Sequence, residues 1–547
     1  MPGSSRPPLE VMIADPGFTP STRDLEALID LLADDARAKN AERAIARLGP
    51  IALERLEARF QGAKPPVRGR IVRVIGRLAN DRLLERAHAA LADALKDSDP
   101  KTRRNAAIAL GRANADGVEE VLLSAWQRDP RPEMRRSIAA SLGKIGGDKA
   151  LGLLRDEASR TADPEMARIA ERAVMMLERT ASRSEPGRLA PERHAASPTD
   201  VVALSRRGLE EILAEELAAV DAIRDVRVAG PGQVRGQLVG AMGAMFSART
   251  MLSFSFPLPQ VWRRDGESEE EAIGRCIASH EARAIFANWT VGSVRYRIAW
   301  AGGGHKRAAT WAVAQAVARR AKDLVNDPTA SLWEIVIDGT SAATPQRGQT
   351  KAGTKGRLYD VTIAPRALAD PRFAWRIGDV PAASHPTVAA ALARLGGLRD
   401  DDVVWDPFVG SAAELVERAL LGPYRALLGS DSDARALAIA ADNLAAAHVA
   451  AHLEGADALV HSPPGVTLIV TNPPMGRRAS RVAGLADELD RFVEHAASVL
   501  TLGGRLVWIA PWPARTRDAA MRAGLVLDRA YLIDMGGFEA EMQRWLK

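Results

Sequence analysis

The sequence predicts a multidomain chain in which an all-α solenoid is followed by an α+β module and then by an α/β doubly wound parallel sheet. Three observations carry that expectation. Through residue 180 a helix recurs, as RAIARLG ending at Gly49, RGRIVRVIG at Gly76, RRNAAIALG at Gly111 and RRSIAASLG at Gly143. Near residue 200 extended and helical segments begin to mix. From about Pro381 strands alternate with helices at the short interval of parallel sheets. At roughly 150 residues per domain, a length of 547 residues also implies three or four domains.

Hydrophobic residues at 47% and charged residues at 26% sit near the soluble globular average, which argues against general disorder, collagen-like repeats and coiled coils. No stretch approaches the roughly 18 uninterrupted apolar residues of a membrane helix, and the opening MPGSSRPPLEV has no apolar run resembling a secretion signal. A cytoplasmic protein without a membrane partner is expected. Cys276 is the sole cysteine, so an internal disulfide and a thiolate zinc site are both excluded, and no metal is expected. A net charge of +5 with a pI near 9.4 permits a nucleic-acid partner without requiring one.

Residues 1–23 read as a disordered tail, and residues 24–180 hold the repeats. The repeat glycines lie 27, 35 and 32 residues apart. Each follows apolar residues at helical spacing, as a glycine closing a helix does. The turns Asp99-Pro100 and Asp129-Pro130 precede two copies, and PEMARIAERAVMML after Asp163 adds a helix without the glycine. This pattern resembles HEAT-type repeats, helix pairs that stack because one pair alone cannot bury its apolar face, and such a region offers a surface to a protein partner. Arg68, Arg103, Arg104, Arg135 and Arg136 recur at the repeat starts and read more readily as a solvated face than as a ridge for phosphates.

Residues 181–199, rich in Ser, Pro, Arg and Ala without apolar periodicity, read as a linker. The module at 200–370 opens with a strand, a turn at Gly208 and a helix placing Leu209, Ile212, Leu213 and Leu217 on one face. Strands follow at 294–300 and 332–338, separated by the helix RAATWAVAQAVARRAKDLV. Lys306 and Arg307 stand before that helix, and Lys351 and Lys355 lie in the loop QRGQTKAGTKGR, where phosphate contact is favoured over a merely solvated face.

Residues 371–547 form the alternating region, whose ligands belong beyond the C-terminal strand ends. There WDPFVGSAAE puts Asp406, Pro407, Phe408, Gly410 and Ser411 in a turn between a strand and a helix, where backbone amides suit an anionic group. The next strand ends at Asp431 and Ser432, placing an acid where it can accept from ribose hydroxyls; Asp433 suits a helix cap equally well. Asp457, followed by Ala458, can accept from an adenine amino group. The apolar strand TLIVT ends in Asn472-Pro473-Pro474-Met475. Its two prolines stiffen the corner and remove two donors, leaving acceptors to align an exocyclic NH2 with an electrophilic methyl group. Arg477 and Arg478 follow and can guide a nucleic-acid backbone.

In this order the residues from 385 onward resemble a class I S-adenosylmethionine-dependent methyltransferase of the amino-modifying group, whose motif is (D/N)PP(Y/F). The segments ALSRRGLEEILAEEL, VRGQLVGAMGAMFSARTMLSF and RFAWRIGDVPAASHPT are similar to the THUMP-containing half of RNA methyltransferases that form N2-methylguanosine. The resemblance implies a Rossmann-like catalytic domain, S-adenosyl-L-methionine as cofactor, tRNA or rRNA as partner, and methylation of guanosine N2. Glu417 falls at the family's helix glutamate. The sequence departs at Ala412 and Ala413, where the family has Gly and Thr, which implies a crowded cofactor loop. It departs again at Met475, which replaces an aromatic that stacks on the target base. Two other readings stay open: N6-adenine or glutamine-amide methylation, because an NPP corner serves any planar NH2, and a degenerate methyltransferase fold acting as an RNA- or protein-binding scaffold.

Overall fold

The computed structural model describes residues 7–79, 84–112, 116–184, 187–303, 306–339, 359–381, 383–475 and 484–547. Met1–Pro186 with Val325–Asp327 form one compact unit, and Gly187–Leu324 with Pro328–Lys547 form another.

The first unit is helical. Helices Ala38–Leu48, Pro65–Leu78, Pro100–Leu110, Pro132–Ile145 and Pro164–Ser184 pack one on the next, with helices such as Ile51–Gly62 and Val118–Arg128 between them. Gly49 and Gly111 close their helices as expected, but the repeated glycine has a second task. Only Gly49 adopts a left-handed closing conformation, at φ 67°. Gly76 and Gly143 sit inside their helices, where a Cβ would meet the Cβ of Ala109 or of Ala173 at 2.5 Å; a Cβ on Gly111 would meet that of Ser141 at the same distance. Glycine therefore sets the distance between neighbouring repeats. Gly143→Ala is expected to destabilise this unit by about 1–3 kcal/mol through overpacking, although alanine favours an exposed helix, and a lowered first transition in thermal unfolding of the full chain checks it.

The repeat arginines form a ladder between repeats. Arg68 pairs with Asp97 at 2.7 Å, Arg103 with Asp129 at 3.1 Å and Arg136 with Asp163 at 2.6 Å, each reaching the acid of the following turn. Arg104 donates to Ser137, and Arg135 lies over the Trp126 ring. The N-terminal stretch also departs from the disordered tail expected over 1–23: Leu9–Met12 is helical and Ile13 is buried in the core of this unit.

In the second unit the expected linker is folded. Residues 181–184 finish a helix of the first unit, and from Arg188 the chain pairs antiparallel with Thr290–Val291, while the Trp289 indole donates to the Arg193 carbonyl at 3.0 Å. A mixed sheet then runs in the order Ile223–Gly230, Gln233–Leu238, Thr199–Leu204, Ser253–Pro257, Asp360–Ala364, Trp333–Asp338, Val294–Trp300. The helix after Lys306 ends at Arg320, earlier than its pattern suggested, and Leu324–Asn326 is extended.

The remaining described residues build a seven-stranded sheet. Its strands are β1 (Val403–Asp406), β2 (Ala426–Asp431), β3 (His452–Gly455), β4 (Leu468–Thr471), β5 (Arg505–Ala510), β6 (Val526–Asp534) and β7 (Glu539–Leu546), in the order β3-β2-β1-β4-β5-β7-β6. Pairs among β1 to β5 are parallel, and β7 runs antiparallel to both β5 and β6. Strands β1, β2, β4 and β5 are largely apolar because helices cover them, whereas β3, at the sheet edge, is polar and mostly exposed. Among the helices are α1 (Pro386–Gly396), α2 (Ala413–Leu421) and α3 (Ala434–Ala446), with α4 (Leu485–Val499) and α5 (Pro513–Arg522) after them.

The two sheets are locked together within this unit. Arg249 donates to Glu417 at 2.8 Å, and the Glu216 carboxylate accepts from Arg249 N, Thr250 N and Arg394 Nε. Gly208 packs so closely on β6 that a Cβ there would lie 1.8 Å from the Leu532 carbonyl oxygen. The division expected at residue 370 is therefore not a gap between separately packed bodies. No described helix is long and apolar enough to cross a membrane.

Candidate functional site

The order change between β1 and β4 puts their carboxyl ends side by side, the position at which open parallel sheets bind ligands. Asp406 closes β1 and is fully buried. Its Oδ1 accepts from the Thr471 hydroxyl of β4 at 2.6 Å and from Phe408 N at 3.1 Å, while Oδ2 has no partner among the described residues. Burial, reinforced by the neighbouring Glu414 carboxylate, holds this acid well above the ordinary carboxylate range. A cationic group placed against Oδ2 would reverse both effects.

The turn after Asp406 is shaped by two left-handed residues, Gly410 at φ 49° and Ala412 at φ 62°. Gly410 N donates to Asp431 Oδ2 at 3.0 Å and Val409 N to the Ser430 carbonyl at 3.0 Å, tying the turn to the tip of β2. Asp431 Oδ1 accepts from Asp433 N, so the β2 acid is held by backbone donors on both oxygens. Asp433 caps α3, as its alternative reading had it. Ala456 N donates to the Asp431 carbonyl, which brings the exposed Asp457 beside the same tip. Ala412 and Ala413 are wholly buried in the core, so their methyls occupy packing space instead of crowding the mouth of the turn.

At the end of β4, Asn472 donates from Nδ2 to the Ser384 hydroxyl at 2.8 Å, and Ser384 donates to Glu414 Oε1. The Asn472 Oδ1 is buried and accepts no hydrogen bond among the described residues. A buried acceptor left unsatisfied costs about 1–3 kcal/mol, which an amine donor would recover. Pro473 is buried and Pro474 exposed, so the corner is anchored on one side only. Before α1, burial and then the Arg206 charge lower the His385 pKa below the ordinary imidazole value, and its Nδ1 caps that helix by accepting from Thr387 N at 3.3 Å.

Several expected site residues prove to be packing groups. The Phe408 ring stacks edge-on against Phe492 at 5.1 Å, and Ala458 is buried in the same core. Only the backbone of Phe408 faces Asp406. Met475 is half-buried against the core of the sheet and is no open platform for a base. Lys306 lies 4.6 Å above the Trp300 ring, and Arg307 opens the following helix. Lys351, Lys355, Arg477 and Arg478 lie outside the described residues. Ser384, Glu414, Thr471 and Asn443 were not singled out from sequence. Asn443 is buried and binds Ile377 N, the Gly378 N and carbonyl, and the Ser411 carbonyl, stapling the connector before α1 to the β1 turn. No group of three or more His, Cys, Asp or Glu able to hold a metal occurs among the described residues.

Residues 374–532 match the family model described as RMKL-like, methyltransferase domain, and residues 88–175 match HEAT repeats. The tRNA (guanine(6)-N2)-methyltransferase of Thermus thermophilus is 34% identical over 157 residues, covering 28% of this chain and 46% of that protein. The tRNA (guanine(10)-N2)-dimethyltransferase of Methanothermobacter thermautotrophicus is 31% identical over 134 residues, covering 24% and 39%. The chain thus spans less than half the length of these curated relatives. The crystal structure of TrmN from Thermus thermophilus aligns with a TM-score of 0.50 at 22% identity over 64% of this chain and 99% of that chain, a likeness of fold. The chain carries a methyltransferase domain together with a HEAT-repeat region.

Proposed function

We propose that this chain transfers a methyl group from S-adenosyl-L-methionine to the exocyclic N2 of a guanosine in tRNA. The observation that carries the reading is the Oδ1 of Asn472, buried without a hydrogen bond among the described residues and held in place by its own amide nitrogen at the end of β4 beside the Asp406 turn. The residues present fit the cofactor. Asp406 Oδ2, buried and without a partner among the described residues, is an acceptor for an ammonium, the Gly410 turn leaves backbone room for the methionine moiety, and Asp431 with Ser432 stands where a ribose is held. Asp457 accepts from the adenine amino group, while Pro407 and Ser411 shape the turn. Bound there, the cofactor supplies an electrophilic methyl on sulfur. Asn472 Oδ1 and the Pro473 carbonyl accept from the guanine NH2, aim its lone pair and stabilise the positive charge that grows on nitrogen.

The curated relatives named above act on guanine N2 in tRNA, and this supports the base and the RNA chosen. Lys306, Arg307, Lys351, Lys355, Arg477 and Arg478 contribute sequence-independent phosphate contacts, and the HEAT repeats offer a face to a protein partner. Incubating the purified chain with cofactor and separated tRNA and rRNA, then digesting to nucleosides for mass spectrometry, tests the reading. N2-methylguanosine in the tRNA fraction is expected. N6-methyladenosine in its place would move the substrate to adenine, and absence of binding heat at millimolar cofactor would favour the scaffold reading.

A further inference from the structure

We infer that Ser384 and Glu414 are positioning residues that fix which end of the Asn472 amide faces the substrate amine. The inference rests on the reading of Asn472 as the amine acceptor. An asparagine amide has two nearly isosteric ends, and rotating it by half a turn exchanges an acceptor for two donors. Methyl transfer to an NH2 needs the acceptor, since a donor there would confront the N–H bonds of the substrate. Something must therefore distinguish the ends, and at this site it is a one-way hydrogen-bond chain.

The polarity of the chain follows from its terminus. Glu414 accepts the single proton of the Ser384 hydroxyl through Oε1; burial favours the neutral acid, whose carbonyl oxygen still accepts when its own proton sits on Oε2. With that proton committed, the Ser384 oxygen has only lone pairs left, and one of them meets Asn472 Nδ2 at 2.8 Å. A rotated amide would set Asn472 Oδ1 against the same lone pair, two acceptors facing each other in a buried place. The three groups come from distant parts of the chain, since Ser384 lies just before α1, Glu414 opens α2 and Asn472 ends β4. Both Ser384 and Glu414 are buried, at 7% and 4% relative exposure, so water does not substitute for either. Neither touches the reacting atoms, and their effect passes through Asn472.

Steady-state methyl transfer to tRNA, with cofactor affinity measured by calorimetry, tests this. Ser384→Ala is expected to lower kcat by about 10- to 100-fold, with cofactor Kd and tRNA KM within about 3-fold of the parent. Glu414→Leu is expected to lower kcat by a similar factor with tRNA KM unchanged, while its cofactor Kd tightens because the acid opposing ionisation of Asp406 is gone. Glu414→Gln, whose amide oxygen can still accept the Ser384 proton, is expected to recover at least about a third of the parental kcat. In an Asn472→Ala background, Ser384→Ala is expected to change the residual rate by less than about 2-fold, because the group being positioned is already gone. Parental kcat in Ser384→Ala, or losses that multiply in the double variant, would overturn the positioning role while leaving methylation itself intact. A parental chain that binds cofactor yet methylates no tRNA would instead remove the reading on which this one stands.

Discussion

Asn472→Ala is expected to lower kcat for methyl transfer by about 100- to 1,000-fold, while cofactor affinity stays within about 3-fold of the parent. The magnitude is that of removing one preorganised electrostatic contact to charge developing in a transition state. The fold should tolerate the change, because Ser384 keeps its hydrogen bond to Glu414 and the truncation removes a buried acceptor that has no partner among the described residues. Asn472→Asp should be tolerated less well by the fold. It adds a carboxylate near Asp406 and Glu414, both of which burial already pushes toward the neutral form. Single-turnover methyl incorporation at saturating cofactor and tRNA, followed by nucleoside analysis, reads the first effect, and thermal unfolding reads the second. A rate for Asn472→Ala within about 3-fold of the parent would show that the β4 corner does not hold the amine.

Why the corner was legible in the sequence and its support was not is a matter of range. Asn472, Pro473 and Pro474 are contiguous, follow an apolar strand and limit one another's backbone, so four letters constrain the local geometry. The Asn472–Ser384 hydrogen bond spans 88 residues and exists only because β4 lies beside β1 while α1 packs on β4 and β5, an arrangement that no local pattern encodes. Strands β6 and β7 escaped a sequence reading for another reason: β6 is mostly exposed and shows no clean alternation of buried and open residues. The repeat glycines were visible as a period, yet only Gly49 and Gly111 stand at helix ends, while Gly76 and Gly143 lie inside their helices. A glycine at a helix end and one beneath a crossing helix look alike in one dimension, and what separates them is the 2.5 Å that a Cβ on Gly143 would leave to Ala173. Similarly, Phe408 sits in the turn that the motif singles out, yet its ring is claimed by Phe492 from α4, a tertiary contact stronger than the local pattern.

Asp406→Asn separates what this site gives to stability from what it gives to binding. In the unfolded chain the Asp406 carboxyl ionises near pH 4, whereas in the folded chain burial and then Glu414 hold its proton to well above that pH. The folded state thus keeps a proton that the unfolded state has released. Its contribution to stability is fully present below about pH 4 and is lost as pH rises through the folded-state value. Asparagine has no such proton to lose and can keep accepting from the Thr471 hydroxyl and Phe408 N through Oδ1. The variant should match the parent near pH 4, where its amide NH2 replaces an equally unpaired carboxyl, and exceed it increasingly toward pH 8, by about 1.4 kcal/mol for each pH unit over which the folded parent keeps the proton that the unfolded chain has lost. Binding should move the other way. Exchanging a carboxylate for an amide at the acceptor proposed for the cofactor's ammonium should raise cofactor Kd by about 10- to 100-fold, the worth of one charge-assisted hydrogen bond. Thermal unfolding from pH 4 to 8 and calorimetric titration of cofactor at pH 8 measure the two effects separately. A variant that gains stability and still binds cofactor like the parent would place the ammonium elsewhere. One that loses stability across the whole range would mean that the buried Asp406 charge is compensated within the fold, and that its unpaired oxygen is no sign of a missing ligand.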